Sequence, residues 1–277
     1  GFCMNPEFLR EGKAIDDFNN PDRIVLGVTS KRVESIMLNV YSGFSSSTFI
    51  ITTPTTAEMI KYTANSFFAL LISYSNEIAR ICETLNSVDS DDVFNGVILD
   101  KRISPIINTK RIVPDLVTYL RAGCGFGGSC FPKDVKALAA YERNQNVKGG
   151  LLENLIKINS QQITHVFNLG IQNYKNKPKN IGILGTAFKP ETDDIRESPG
   201  IKLAQIAIEK GFNVFFHDYK ATENTLIFFD NKIEFCSEPL NVINKSDIIY
   251  CATIWDGYKE ITDDDLQENM NENAVLV

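Results

Sequence analysis

The sequence contains few histidines and no closely spaced cysteine pair, which limits the metal sites that it could build. Its 277 residues include two histidines, His165 and His217, and six cysteines, none of them in a CxxC pair. Structural zinc sites need clusters of such ligands, so we expect no metal site. Cys82, Cys236 and Cys251 lie in apolar helix-like or strand-like segments, and we expect them to be buried free thiols.

Long apolar runs and a secretory leader pattern are also missing. The apolar runs are interrupted well short of the ~20 residues that cross a bilayer, so no membrane span is expected. Without a leader, the cytoplasm is the expected location. A net charge of −7 argues against a nucleic-acid partner. Because the chain begins at Gly1 and stops within the strand-like "NAVLV", we expect both ends to be cut.

The apolar periodicity predicts an α/β protein in three parts. Residues 1–54 contain strand, helix and strand patterns, as in the last part of an α/β domain. Residues 55–175 are mostly helical and include a long helix near 151–174, whereas the stretch between 100 and 120 has a loop pattern. Residues 176–277 alternate strands and helices, which predicts a Rossmann-like parallel sheet covered by helices.

Two helix starts are marked by capping residues. Thr55 and Glu58 form a capping-box pattern at the start of a helix that should run to about Leu85. This helix is apolar nearly all round, so we expect it to be buried. In the last part of the chain, Ser198 and Pro199 mark the cap and first position of another helix.

The motif "FGGSCFPKD", residues 126–134, contains the main candidate for a reactive cysteine. Two glycines permit a tight turn and a close backbone approach to a ligand. Pro132 suits a first helical position, which places Cys130 just before a helix N-terminus, where negative charge is favoured. A nucleophile and a buried structural thiol are both compatible with this spacing. Cys124 is the rival thiol but lacks the following proline, so Cys130 is favoured.

Three further segments hold polar residues in patterns compatible with a site. Glu58, Lys61, Asn65 and Asn76 fall on one side of their helix, and this stripe indicates either a solvated Glu58–Lys61 pair or a ligand-binding face with a proton-accepting lysine. "NPEFLREG", residues 5–12, is either a charged surface turn or part of a site. "GTAFKPETDDIRESP", residues 185–199, follows a strand where open α/β sheets bind ligands, but the turn is not GxGxxG.

These segments together resemble the UDP-glucose/GDP-mannose dehydrogenase family. The resemblance rests on "NPEFLREG", "AIDDFNNPDRIVLG", "AEMIKYTAN", "NEIARICE", "GFGGSCFPKD" and "GTAFKPETDDIRES" in this order, spread over most of the chain. It implies the end of an NAD-binding domain at 1–54. It further implies a central helical domain at 55–175, which dimerises through a long helix, and a nucleotide-sugar binding domain at 176–277.

The resemblance also implies which residues form the site. The catalytic residues would be Cys130, Lys61, Asn65, Asp134 and Glu7. The substrate would be bound by Glu7, Phe8, Leu9, Arg10, Glu11, Lys61, Asn65, Arg102, Tyr119, Leu120, Arg121, Gly125, Phe126, Gly127, Phe188 and Lys189, with Arg102 reaching the site of a second copy. The cofactor NAD would contact Glu11, Cys130, Lys133 and Arg196.

The implied chemistry is the oxidation of a sugar's primary alcohol to a carboxylate with two NAD. Lys61, directly or through water, or Asp134 would accept the hydroxyl proton, and Cys130 would hold the aldehyde as a thiohemiacetal and then a thioester. Lys61 and Asn65 would stabilise the developing oxyanion. The motifs favour UDP-glucose, oxidised to UDP-glucuronate for polysaccharide biosynthesis. The alternatives are GDP-mannose, another UDP-sugar, a dimerising module that binds but does not catalyse, and a scaffold with decayed sites.

The sequence departs from the family in three places. The NAD-binding domain is almost wholly missing, with its glycine fingerprint and a threonine near the reacting centre. An arginine-bearing segment expected after the last strand is missing too, and the stretch 104–118 is longer than usual. We therefore expect this chain alone to show no NAD-dependent turnover.

Overall fold

The chain folds as two compact units, formed by residues 1–67 and 68–277. The computed structural model describes residues 1–44 and 46–277. Both units combine helices with a sheet, so the predicted α/β class is confirmed.

The first unit is built on a small three-stranded sheet. Its elements are β1 (Cys3–Met4), α1 (Ala14–Asn19), β2 (Arg23–Val28), α2 (Lys31–Val40), β3 (Thr48–Thr52) and the first part of α3 (Pro54–Glu83). The strand order is β1-β2-β3, with β1 antiparallel and β3 parallel to β2. The strand, helix and strand patterns expected within residues 1–54 are confirmed as β2, α2 and β3. A Cβ on Gly27 would lie 2.7 Å from the Cβ of Ala57, so the glycine lets the sheet approach α3 closely.

The start and the burial of α3 differ from the prediction. The helix begins at Pro54, and the Thr53 hydroxyl accepts a hydrogen bond from the N–H of Thr56, so Thr53 replaces the predicted Thr55 cap. Proline is favoured at a first helical position because its missing N–H would have no partner there. The expected all-round burial is wrong. One face is buried, while Met59, Phe67, Tyr74 and Ile81 are exposed on another.

The second unit begins with a helical part. After α3 come α4 (Ser90–Ile98), β4 (Ile106–Ile107), β5 (Lys110–Arg111), a 3-10 helix (Asp115–Tyr119), α5 (Cys130–Asn144) and α6 (Leu151–Asn173). The stretch predicted as loop therefore contains a hairpin, β4 with β5, whose turn residues Asn108 and Thr109 both have positive φ. The long helix expected near 151–174 is confirmed.

The rest of this unit is a five-stranded, wholly parallel sheet. Its elements are β6 (Asn180–Leu184), α7 (Pro199–Glu209), β7 (Asn213–His217), α8 (Thr222–Phe228), β8 (Glu234–Phe235), α9 (Pro239–Lys245), β9 (Ile248–Cys251), α10 (Asp256–Lys259), α11 (Asp263–Asn269) and β10 (Val275–Leu276). The order β10-β9-β6-β7-β8 confirms the Rossmann-like prediction. The connection from β6 leads to β7 on one side, and the connection from β8 crosses to β9 on the other side of β6. This reversal creates a switch point beside the ends of β6 and β9.

Helix α6 joins the helical part to this sheet through a shared core. Phe167 on α6 packs with Ile181 of β6 and Tyr250 of β9, and the Tyr250 hydroxyl donates to the Phe167 carbonyl at 2.6 Å. Ser198 caps α7 as predicted, accepting from the N–H of Ile201. The helical part and the sheet of this unit are thus joined through one core. Within the described residues, no helix is long and apolar enough to span a membrane.

Candidate active site

In the first unit, Lys61 and Glu7 form an ion pair. The Lys61 Nζ lies 3.2 Å from Glu7 Oε1 and 5.4 Å from the centre of the Phe8 ring. The lysine side chain is 15% exposed and that of Glu7 56%. Asn65 follows one turn later on α3 and is buried. The structure therefore groups Glu7, Phe8, Lys61 and Asn65, and Lys61 pairs with Glu7 rather than with Glu58, the partner in one of the two interpretations of the stripe.

The segment that follows Phe8 is held by its own side chains. The N–H of Leu9 donates to Glu7 Oε2 at 2.7 Å. The Arg10 guanidinium pairs with both oxygens of Asp17, at 2.6 Å and 3.0 Å, and the hydrogen bond from this guanidinium lowers the pKa of Asp17. Glu11 is half-buried. The turn is thus an ordered element rather than a loose surface segment.

In the second unit, Cys130 is the first residue of α5 and is half-buried. The prediction placed it just before the helix, with Pro132 first; the helix starts two residues earlier, and the side chain of Ser129 before it makes no capping hydrogen bond. The Ser129 hydroxyl lies 3.7 Å from the Cys130 sulfur. One turn on, Lys133 Nζ contacts Oδ1 of Asp134 at 2.7 Å, and this carboxylate is 1% exposed.

The rival thiol Cys124 has a different environment. It is half-buried as a residue and packs against the core that α6 shares with the sheet. Burial, with a smaller contribution from Cys251, raises the pKa of Cys124 to about 12. At neutral pH its sulfur therefore remains protonated and is a poor nucleophile.

The glycines before Cys130 contact protein rather than open space. A Cβ on Gly127 would lie 2.3 Å from the Glu197 carbonyl oxygen, and one on Gly128, whose φ is +74°, would lie 2.7 Å from the Phe188 ring. The N–H of Gly128 also donates to the Arg196 carbonyl at 3.0 Å. The predicted close approach to a ligand is thus, in the structure, a close approach to the loop after β6.

Residues just before these glycines are held by three side-chain amides. Asn76 accepts from the N–H of Gly123 at 2.8 Å, and Gln162 donates to the carbonyl of Gly123 at 2.7 Å. Asn159 accepts from the N–H of Phe126 at 2.8 Å and donates to its carbonyl at 3.0 Å. The sequence interpretation missed the role of Asn159 and Gln162; amides interrupting the apolar face of α6 were the available signal.

The residues predicted to surround the nucleotide have several anchors. Tyr119 stacks on Phe68 with ring centres 4.7 Å apart, and Leu120 is buried against Phe94. Arg121 lies 3.2 Å from Asp91 and 2.9 Å from Asn95, both on α4. A second predicted cation, Arg102, makes a two-point contact with Asp100 on the surface, which lowers the pKa of Asp100 to about 2.

The loop after β6 brings Phe188 and Lys189 next to the Cys130 segment. Lys189 Nζ lies 5.4 Å from the centre of the Phe188 ring. Arg196 pairs with Asp194 at 2.7 Å, and Glu197 contacts Lys202 of α7. The structure therefore gathers Phe126, Gly127, Cys130, Lys133, Asp134, Phe188, Lys189 and Arg196 within one unit. Glu7, Lys61 and Asn65 are gathered within the other. Among the described residues, no cluster of three metal-ligating side chains occurs.

Comparisons with known proteins identify these parts. Residues 1–45, 55–161 and 182–277 match the NAD binding, central and UDP binding domains of the UDP-glucose/GDP-mannose dehydrogenase family. The first match supports NAD as the cofactor that the resemblance implied.

Individual relatives agree. A UDP-glucose 6-dehydrogenase of Rickettsia conorii is 37% identical over 94% of this chain and 58% of its own length. One of Haloferax volcanii is 36% identical over 99% of this chain and 61% of its own length. The structure of a UDP-glucose dehydrogenase from Pyrobaculum islandicum superposes with a TM-score of 0.83 at 35% identity, over 92% of this chain and 56% of that one. The chain thus spans about three-fifths of the length of these relatives, and it belongs to the UDP-glucose/GDP-mannose dehydrogenase family.

Proposed function

We propose that this chain carries the substrate-binding and thiol chemistry of an NAD-dependent enzyme that oxidises UDP-glucose to UDP-glucuronate. The observation that carries the proposal is the setting of Cys130. It opens a helix, it is half-buried, and the segment before it is fixed by Gly128 against Phe188. The family membership and the names of the relatives supply the reaction class.

The exposed cations near Cys130 fit a dinucleotide. Lys133 and Arg196 each expose about two-thirds of their side chains, and both are suited to phosphate groups. With Glu11 and the Cys130 segment, they are the residues of this chain that would hold NAD. When bound, NAD accepts a hydride in each of the two oxidations.

The first oxidation needs a group that removes the proton of the sugar's primary hydroxyl. Lys61 would accept this proton, directly or through water, as a neutral amine released from its ion pair with Glu7. Asp134 is the alternative acceptor, being a buried carboxylate one turn after Cys130. The product of this step is an aldehyde.

The second oxidation takes place on the sugar carbon while it is bonded to the sulfur of Cys130. The assisting base takes the proton of the thiol, the sulfur adds to the aldehyde carbon, and the base returns the proton to the former carbonyl oxygen, giving a thiohemiacetal. Removal of hydride from that carbon gives a thioester, and water, directed by Glu7, then releases the carboxylate and returns the thiol. Lys61 and the Asn65 amide would stabilise the negative charge on the oxygen during each addition.

The proposal is tested by ligand protection of the thiol. UDP-glucose should slow the alkylation of Cys130 by iodoacetamide, followed by peptide mass spectrometry, and calorimetry should show binding. GDP-mannose and free UDP serve as competing probes. Cys130→Ser should bind UDP-glucose with similar affinity. Equal protection by GDP-mannose would shift the substrate class, and no protection by any nucleotide would reject the proposal.

We further propose that two copies of the chain associate through α3 and α4. Tyr74 and Ile81 on α3 and Val93 and Val97 on α4 are large apolar residues left exposed, and such patches are typical of interfaces. Ile81→Glu should convert a dimer to a monomer in sedimentation. Ile227→Glu, on α8, is the control and should leave the mass unchanged. A wild-type chain that sediments as a monomer would refute this association.

A further inference from the structure

The carboxylate of Asp218, directly after β7, is buried and surrounded by N–H donors. Its residue is 3% exposed. Oδ2 accepts from the N–H of Thr186 at 2.7 Å, that of Ala187 at 2.9 Å, and the indole of Trp255 at 3.3 Å. Oδ1 accepts from the N–H of Lys220 at 2.9 Å and of Ala221 at 2.7 Å. A carboxylate offers about four lone-pair sites, so this one is saturated.

This arrangement excludes the usual role of an acidic residue at this position. In a simple dinucleotide-binding unit, the carboxylate after the second strand accepts the ribose hydroxyls of the ligand. Here β7 is the second strand of the sheet in chain order, and Asp218 uses its oxygens on the protein's own loop. The residue therefore has an internal partner where a ligand would be expected.

The segment that Asp218 holds is fixed on its other side as well. Gly185 has a φ of +89°, and a Cβ there would lie 2.4 Å from that of Thr253. The Thr253 hydroxyl donates to the Ala187 carbonyl at 2.5 Å, and that of Thr225 to the Thr186 hydroxyl at 2.7 Å. Both N–H groups and one carbonyl of residues 186–187 are thus bonded to buried side chains.

Phe188 follows this fixed segment immediately. Its ring occupies the space that a side chain at residue 128 would need, two residues before Cys130. A continuous set of contacts therefore runs from Asp218 through Thr186 and Ala187 to Phe188, and from there to Gly128 and the start of α5.

We infer that Asp218 is a positioning residue for the candidate site: it sets the place of Phe188 and Lys189, and through Gly128 that of Cys130. The expected effect on ligand binding rests on the proposed function, whereas the expected effect on the Cys130 thiol rests on the contacts alone. Loss of the carboxylate frees the turn at 186–187, so Phe188 leaves Gly128. The nucleotide-sugar contacts then weaken and Cys130 becomes more accessible.

The test compares two carboxylates at opposite ends of the strands of the same sheet: Asp218 follows β7, and Asp247 precedes β9. Asp218→Asn replaces an acceptor oxygen with an amide that faces N–H groups. The matched control is Asp247→Asn, because Asp247 also accepts backbone N–H groups, those of Lys179 and Asn180 at 2.7 Å and 2.9 Å, but at the start of β6. Asp218 accepts five hydrogen bonds and Asp247 three, and thermal unfolding measures the stability that each variant loses.

We expect Asp218→Asn to weaken UDP-glucose binding by about tenfold and to speed Cys130 alkylation severalfold, since small misplacements of site residues have large effects. Asp247→Asn should change neither. A double variant with Phe188→Ala should alkylate no faster than Phe188→Ala alone, because both changes act through one contact. Equal behaviour of the two asparagine variants, or additive rates in the double variant, would overturn the inference.

A second variant covers the case in which Asp218→Asn fails to fold. Thr253→Val removes only the bond to the Ala187 carbonyl and keeps the side-chain shape, and it should speed alkylation in the same direction by a smaller factor. An unchanged rate would count against the inference. If the wild-type chain binds no UDP-glucose, the proposed function fails, while the alkylation rates still decide the role of Asp218.

Discussion

The two halves of the segment from Gly123 to Ser129 are held by different kinds of partner. The first half, Gly123 to Phe126, is bonded to amide side chains of the helices α3 and α6. The second half, Gly127 to Ser129, is bounded by the backbone and one ring of the loop after β6. Amides on helices provide fixed points, whereas the loop's own position depends on the sheet. Cys130 therefore follows the half that contacts the loop after β6.

The largest expected effect comes from filling the space between Gly128 and Phe188. Gly128→Ala adds a Cβ 2.7 Å from the ring and keeps a φ of +74° that alanine disfavours. The variant should lose about 3 kcal/mol of unfolding free energy in urea titration. It should also alkylate faster at Cys130.

Gly43→Ala is the control for this substitution, since a Cβ at Gly43 meets no atom within 4 Å. Unchanged stability and thiol reactivity in Gly128→Ala would show that the second half of the segment is not held by Phe188.

A smaller effect is expected in the first half. Asn159→Ala removes the two hydrogen bonds that Asn159 makes with the N–H and carbonyl of Phe126. The variant should lose about 2 kcal/mol of unfolding free energy. Because the second half keeps its contacts, Cys130 alkylation should change little. Asn154→Ala, on the exposed side of α6, is the matched control. A large rise in alkylation in Asn159→Ala would mean that the two halves are not separable.

The smallest expected effect depends on pH. The folded pKa of Cys124, about 12, lies above the ordinary value of 9.0, so the unfolded chain loses this proton first as pH rises. Stability from Cys124 is complete below pH 9 and decreases above it, by about 1 kcal/mol between pH 8 and 9.5. In urea titrations at several pH values, the free energy of unfolding of Cys124→Ala should decrease less steeply with pH than that of the wild type. The difference between the two proteins at pH 7 reports only the cavity that the smaller side chain leaves. An identical decrease with pH in the wild type and in Cys124→Ala would show that the Cys124 thiol is exposed to water.

Much of the fold could be predicted from local pattern. The strands from Asn180 to Cys251 and helix α6 were evident because apolar periodicity reflects burial on one or both faces. Capping at Ser198 was also evident, since the cap bond is local. The N-cap at Thr53 was missed because Thr55 with Glu58 offers a competing capping pattern nearby.

The contacts that define the candidate site were less accessible to such reasoning. Cys130 stands out in sequence, but Gly128 meets Phe188 across 60 residues of chain, and nothing local to either predicts the pairing. Asp218 likewise gives no local sign that its partners lie some thirty residues earlier and later. Only the folded sheet brings these segments to one edge.

The contact between the glycines and the loop after β6 has a consequence for chimeric enzymes. A domain exchanged between two relatives would normally be cut in the connection between α6 and β6. Here such a cut would separate Gly127 and Gly128 from Glu197 and Phe188, which they contact closely. A working hybrid would have to take residues 127–130 from the same parent as the sheet, so the residues that must be inherited together are not contiguous in the chain.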